Sequence, residues 1–138
     1  MTSRLRVAVV GAGAIGAFYG TMLEKAGVDV SFVARGATLA AIRRDGLRIT
    51  GKRTRTIHPL VTDDPAQIGV VDAVLVCTKT FQVAPALEDY SSSLIGPDTV
   101  VVTTQNGVAT PQVVADIVGR RRTCPGVCRA VSYTHLTL

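Results

Sequence analysis

The sequence predicts a doubly wound parallel α/β sheet, and three observations predict it. Short runs of β-branched and apolar residues alternate with segments whose apolar residues recur at helical spacing. The composition, 47% hydrophobic and 18% charged, suits strands buried on both faces. The apolar run Leu5–Val10 feeds straight into Gly11, Gly13 and Gly16, after which a helical pattern opens. At 138 residues the chain holds one domain with a real core and little more.

The elements follow in order. Leu5–Val10 is the first strand; Ile15, Tyr19, Met22, Leu23 and Ala26 mark a helix over Ala14–Ala26 that stops at Gly27. Val28–Ala34, β-branched and apolar, is the second strand and completes a βαβ unit. Thr38–Asp45 reads as a short helix ended by Gly46, and Leu47–Val61 alternates around Gly51-Lys52 as a small antiparallel excursion. Asp63, Asp64 and Pro65 form a turn before Val71–Cys77, a further buried strand. Val83, Leu87, Tyr90 and Leu94 make one face of a helix with Pro85 in its first turn and Gly96-Pro97 beyond its end. Thr99–Thr103 is another strand, Thr110-Pro111 caps a helix running to Val118, Gly119 stops it, and Val127–Val131 is the last strand.

The glycines carry the first chemistry. Gly11 permits a tight turn out of the strand, Gly13 removes the side chain that would block a diphosphate, and Gly16 lets the helix pack closely. Unpaired N–H groups at the helix start, with its dipole, attract anionic oxygen, so Gly11, Ala12, Gly13, Ala14, Ile15 and Gly16 form a candidate pyrophosphate cradle of the Rossmann-like type. GxGxxG alone is a weak signal; its strand and helix context strengthens it. A secretory signal peptide would explain Arg4 and Arg6 before an uncharged run, but that run is too short. A membrane span fails against the interrupting glycines and Glu24-Lys25.

Three further residues sit where such a sheet binds its ligand, just past strand ends. NAD-selective domains usually place a carboxylate about 20 residues beyond the glycines; here Ala34-Arg35 stands there, with nothing to repel a 2′-phosphate and a guanidinium to pair with one. NADP(H) is therefore favoured over NAD(H), the alternative being a surface Arg35 that caps the next loop. Lys79 follows a strand directly and could reach a ribose, a phosphate or a substrate carboxylate; a solvated loop lysine is the plainer account. Asn106-Gly107 is a hairpin signal, yet the helix-start chemistry after Val108 favours a strand-to-helix loop, where the Asn106 amide could donate to and accept from a nicotinamide ribose or substrate.

The remaining composition narrows the partners. Net charge is +5, with six of fifteen basic residues between Arg43 and Arg55, but Trp is absent and Tyr and Phe number three each, so a solvated hairpin is favoured over a nucleic-acid surface. Cys77, Cys124 and Cys128 give no disulfide framework, and no second Cys or His pair gives them zinc spacing, so no metal is expected. Cys77 reads as a small hydrophobe in its strand. His58 and His135 lack visible carboxylate partners and read as incidental. Reduced thiols without an export signal point to the cytoplasm, with no membrane partner.

Together, GAGAIG at 11–16, ARG at 34–36, Lys79 in VCTKTFQV and QNGV at 105–108 resemble the N-terminal domain of the ketopantoate reductases, or 2-dehydropantoate 2-reductases. The resemblance runs from about Arg4 to Ser132, with GVCRAVS as the family's next strand, and places a domain boundary at 1–132. It implies NADPH-dependent reduction of 2-dehydropantoate, a small 2-oxo acid, to pantoate on the route to pantothenate. It puts the glycines on the pyrophosphate, Arg35 on the 2′-phosphate, and Lys79 and Asn106 on nicotinamide-side groups and substrate. Family members also carry a helical domain with a proton-donating lysine and an acidic substrate-binding residue, and neither is placed on this chain, so no catalytic residue is assigned and the chain is expected to bind cofactor and catalyse poorly. Residues 133–138, YTHLTL, depart from the family pattern and read as a non-native tail on a truncated gene. The alternatives are the cofactor domain of another NADP-linked 2-oxo acid or alcohol dehydrogenase, or a binding module without chemistry.

Overall fold

The computed structural model describes residues 4–50, 54–78, 80–104 and 109–125. Its core is a six-stranded parallel sheet in the order β5-β2-β1-β6-β7-β8. The strands are β1 (Arg6–Val10), β2 (Asp29–Val33), β5 (Leu60–Thr62), β6 (Ala73–Val76), β7 (Val100–Thr103) and β8 (Thr123–Cys124); β3 (Leu47–Ile49) and β4 (Arg55–Ile57) form a separate antiparallel pair. The helices are α1 (Ala14–Lys25), α2 (Gly36–Asp45), α3 (Thr80–Leu94) and α4 (Ala109–Val118). From β1 the chain winds out through β2 to β5, then crosses back to β6 and winds the other way, so the direction of winding reverses between β1 and β6.

Strand alternation fills two apolar layers. In β1, Val7 and Val9 join Phe32, Leu39, Ile42 and Leu47 on one face, while Ala8 and Val10 join Val74, Val83, Leu87 and Val114 on the other. Each fully buried Val or Leu stabilises the fold by roughly 1.5–3 kcal/mol. Both faces of β1 are therefore lined, which is why its sequence is a continuous apolar run and not an alternating one. The start of β1 is tied down by polar bonds: the Arg6 guanidinium donates to the carbonyls of Val70 and Ile68 at 2.8 and 2.6 Å, and its amide to Asp72 Oδ2 at 2.8 Å.

The doubly wound sheet stands as the sequence predicts, with corrections at its margins. Leu60 and Val61 do not belong to the antiparallel excursion; they pair parallel with Phe32 and its neighbours as an edge of the main sheet. His58-Pro59 separates the two pairings, since proline has no N–H to continue a ladder. Pro85 lies inside α3 and not in its first turn, because the helix already begins at Thr80. Thr110 is helical and buried and does not cap α4, which starts at Ala109. Cys77 lies just beyond β6, half-buried. The expected strand Val127–Val131 and residues 133–138 lie outside the described residues; β8 at Thr123–Cys124, which pattern reading passed over, supplies a strand beside β7.

Candidate functional site

The glycine turn sits at the point where winding reverses. Gly11 has φ +97° and donates its amide to the Val33 carbonyl at 3.1 Å; a Cβ there would lie 3.1 Å from the backbone of Cys77 and Thr78. Only glycine both turns left-handed and lets β1 pass this close to the end of β6. At Gly16 a Cβ would come within 2.2 Å of the Gly11 carbonyl oxygen, so the first turn of α1 rests directly on the loop. Gly13, the N-cap residue of α1, is different. It makes no side-chain capping bond, and a Cβ there would meet nothing within 4 Å. The leading amides of α1 have no acceptor within their helix, and the space before Gly13 is open, the arrangement that suits an anion.

This turn forms one wall of a cleft of about 980 Å³ at the carboxyl ends of β1, β2 and β6. Gly11, Ala12 and Gly13 line it, with Arg35 and Thr38 at the start of α2, Asp45 and Arg48 around the start of β3, and Gln82, Asp89 and Tyr90 on α3. The volume lies at the upper end of the range for small-molecule sites. Of the predicted cradle, Ala14, Ile15 and Gly16 lie behind Gly13 as the first turn of α1.

Arg35 projects into this cleft and is held by α3. Its Nε donates to Tyr90 Oη at 2.8 Å, its Nη2 donates to the same oxygen, and Nη2 stands 3.6 Å from Asp89 Oδ2. The bonds to Tyr90, and after them the Asp89 carboxylate, hold the guanidinium above its ordinary pKa, so its charge is permanent. The Arg35 and Asp89 side chains are 64% and 65% exposed, whereas Tyr90, which also lines the cleft, is buried. A capping role for Arg35 is not what the structure shows: Arg35 is the N-cap residue of α2 but makes no side-chain capping bond.

Lys79 and Asn106 lie outside the described residues. Their surroundings are informative: β6 ends at Val76 and α3 begins at Thr80, while β7 ends at Thr103 and α4 begins at Ala109. The segment holding Asn106 therefore joins a strand to a helix and is not the turn of a hairpin.

Three of the six basic residues between Arg43 and Arg55 bond to the protein itself. Arg55 pairs with Glu24 at 2.7 Å, Arg44 with Asp45 at 2.9 Å, and Arg43 donates to the Val61 carbonyl at 3.3 Å. Gln82, Asp89 and Tyr90 were missed by sequence reading. Tyr90 carried a signal, but as a member of an apolar helix face; its hydroxyl gave none. Among the described residues no group of three or more His, Cys, Asp or Glu could hold a metal ion, and no helix is long and apolar enough to cross a membrane.

Comparison with known proteins places this geometry. The 2-dehydropantoate 2-reductase of Mesorhizobium japonicum is 40% identical over 106 residues, covering 75% of this chain and 32% of the relative. The crystal structure of 2-dehydropantoate 2-reductase from Porphyromonas gingivalis W83 superposes with a TM-score of 0.81 at 33% identity, covering 91% of this chain and 46% of that one. A ternary structure of D-mandelate dehydrogenase with NADH and anilino(oxo)acetate superposes with a TM-score of 0.80 at 25% identity, over 89% of this chain and 40% of that one. The chain thus spans about a third of the length of its curated relatives. Residues 7–135, which include the glycine turn, Arg35 and the strands that present them, match the family described as Ketopantoate reductase PanE/ApbA, and the chain belongs to that family.

Proposed function

We propose that the chain is the NADP(H)-binding part of a 2-dehydropantoate 2-reductase, with residues 1–132 as the cofactor domain. The observation that carries this is the conjunction, in one cleft, of the uncapped α1 N-terminus and the exposed Arg35 guanidinium at the end of β2. Two anionic centres are implied: a pyrophosphate on the amides that follow Gly13, and a 2′-phosphate on Arg35. The open space in front of Gly13 and the neutral Ala34 fit such a ligand. When bound, the reduced nicotinamide supplies the hydride that converts a 2-oxo acid to a 2-hydroxy acid. The chain's own part is to hold the dinucleotide extended along the cleft, with Gly11, Ala12, Gly13, Ala14, Ile15 and Gly16 at its centre and Arg35 at its adenosine end. Lys79 and Asn106, next to the ends of β6 and β7, are assigned to the nicotinamide and substrate side. The partner is a small 2-oxo acid, and the setting is cytoplasmic.

A second reading, the cofactor domain of a different 2-oxo acid dehydrogenase, is favoured by the likeness to D-mandelate dehydrogenase. The cofactor assignment is tested by titrating this chain and its Arg35→Ala variant with NADPH and NADH. Loss of a charge-assisted bidentate contact should weaken NADPH by about 10- to 100-fold and NADH by far less. Equal weakening of both would refute the role of Arg35. Conversion of 2-dehydropantoate against other 2-oxo acids by the complete reductase that carries this chain, followed by NADPH absorbance, separates the two readings of substrate.

A further inference from the structure

Among the described residues, four charged side chains line the cleft: Arg35, Asp45, Arg48 and Asp89. The Asp45 carboxylate is engaged by its neighbour Arg44 at 2.9 Å. Asp89 faces Arg35. We propose that Asp89 is a specificity-determining residue of the ribose 2′ subsite, competing with a 2′-phosphate for Arg35 and offering an acceptor to an unphosphorylated ribose, so that the chain binds both NADPH and NADH. The inference rests on the assignment of Arg35 made above.

The carboxylate that selects for NAD in related sheets normally stands at the end of the second strand, where it accepts from ribose hydroxyls. Here that position is Ala34, and the acid arrives from α3 instead. It arrives beside the same guanidinium that would read the phosphate, 3.6 Å from Nη2. Tyr90 fixes the geometry: two guanidinium N–H groups donate to its hydroxyl, so α3 holds Arg35, and its remaining donors are left for Asp89 or for a ligand. Because both charged side chains are about two-thirds exposed, their pairing is weak and readily exchanged. A dianion drawn to Arg35 must share it with a carboxylate already in ion-pair range, and the repulsion, screened by solvent and salt, lowers affinity by about 3- to 10-fold. An unphosphorylated ribose brings no such charge and gains an acceptor.

The experiment is a titration of the chain, its Asp89→Asn variant and its Arg35→Ala variant with NADPH and NADH, read by nicotinamide fluorescence at low and high salt. Asp89 is exposed, so Asn is expected to fold; Asp89→Ser, predicted to act in the same direction, is the second variant, and circular dichroism checks both. Asp89→Asn should tighten NADPH by about 3- to 10-fold, leave NADH unchanged or weaken it by about 2-fold, and lose most of its gain at high salt. If the ratio of the two affinities is unchanged in both Asp89 variants while Arg35→Ala lowers it, Asp89 has no part in selection and the assignment of Arg35 stands. If Arg35→Ala leaves the ratio unchanged, the phosphate subsite itself is wrong and this inference falls with it.

Discussion

Replacing Gly13 and Gly16 separately by alanine should divide binding from folding. The Cβ added at Gly16 lies 2.2 Å from the Gly11 carbonyl oxygen and 3.1 Å from Val9 Cγ1, more than 1 Å inside ordinary contact with a backbone atom. No rotamer relieves a clash with a main-chain oxygen, so α1 or the turn must move, at about 1–3 kcal/mol. Against a total stability of roughly 5–15 kcal/mol this lowers the melting temperature by about 3–10 °C. At Gly13 the added methyl meets nothing, and φ −73° is a backbone conformation that alanine adopts freely. Loss of a favourable N-cap residue, about 1 kcal/mol, is offset by the lower entropy of the unfolded chain, about 0.4–1 kcal/mol. Gly13→Ala should therefore melt within about 4 °C of the parent. Its methyl nevertheless stands before the free amides of α1, so NADPH binding should weaken by at least about 10-fold, or 1.4 kcal/mol. Thermal melts followed by circular dichroism, with NADPH titration of whichever variant folds, provide the assay. A Gly13→Ala protein that folds and binds NADPH as the parent does would refute the placement of the pyrophosphate on α1.

Urea unfolding tests the rest of the fold. Thr99 is buried, donates to the Val71 carbonyl at 2.6 Å and accepts from the Gly96 amide at 2.9 Å; Thr99→Val strands both groups and should lower the unfolding free energy by about 1–3 kcal/mol. Leu87 is 1% exposed where α3 meets the sheet, and Leu87→Ala should cost about 2–5 kcal/mol, seen as a lower urea midpoint with an unchanged slope. Glu24→Gln breaks the 2.7 Å pair with Arg55, but with side chains 38% and 42% exposed the loss should stay below about 1 kcal/mol and shrink further in high salt.

What was legible in the sequence is what local chemistry writes down. The continuous apolar run of β1 reports burial on both faces, and Gly11 and Gly16 report close approaches that a Cβ would crowd; both signals are complete within a few positions. The doubly wound architecture and the expectation of a strand-to-helix connection before α4 follow from the alternation of those patterns. The failures share a cause. Leu60–Thr62 reads like its antiparallel neighbours because three residues do not reveal which partner lies beside them; β2 decides that, from almost thirty positions away. Thr123–Cys124 is too short to show a period at all, and becomes a strand only because β7 offers an unpaired edge. Tyr90 was legible as apolar, since its ring does face the core, while its hydroxyl acquires meaning only when α3 is laid across the end of β2. Arg35 is the intermediate case. Its position after β2 is legible and carries the proposed phosphate role, whereas its neighbour Asp89, 3.6 Å away, sits on an element that sequence spacing does not connect to it. The proposed subsite accordingly joins two elements, and on that proposal substitutions on α3 should tune cofactor preference without touching the glycine turn or the strand that carries Arg35.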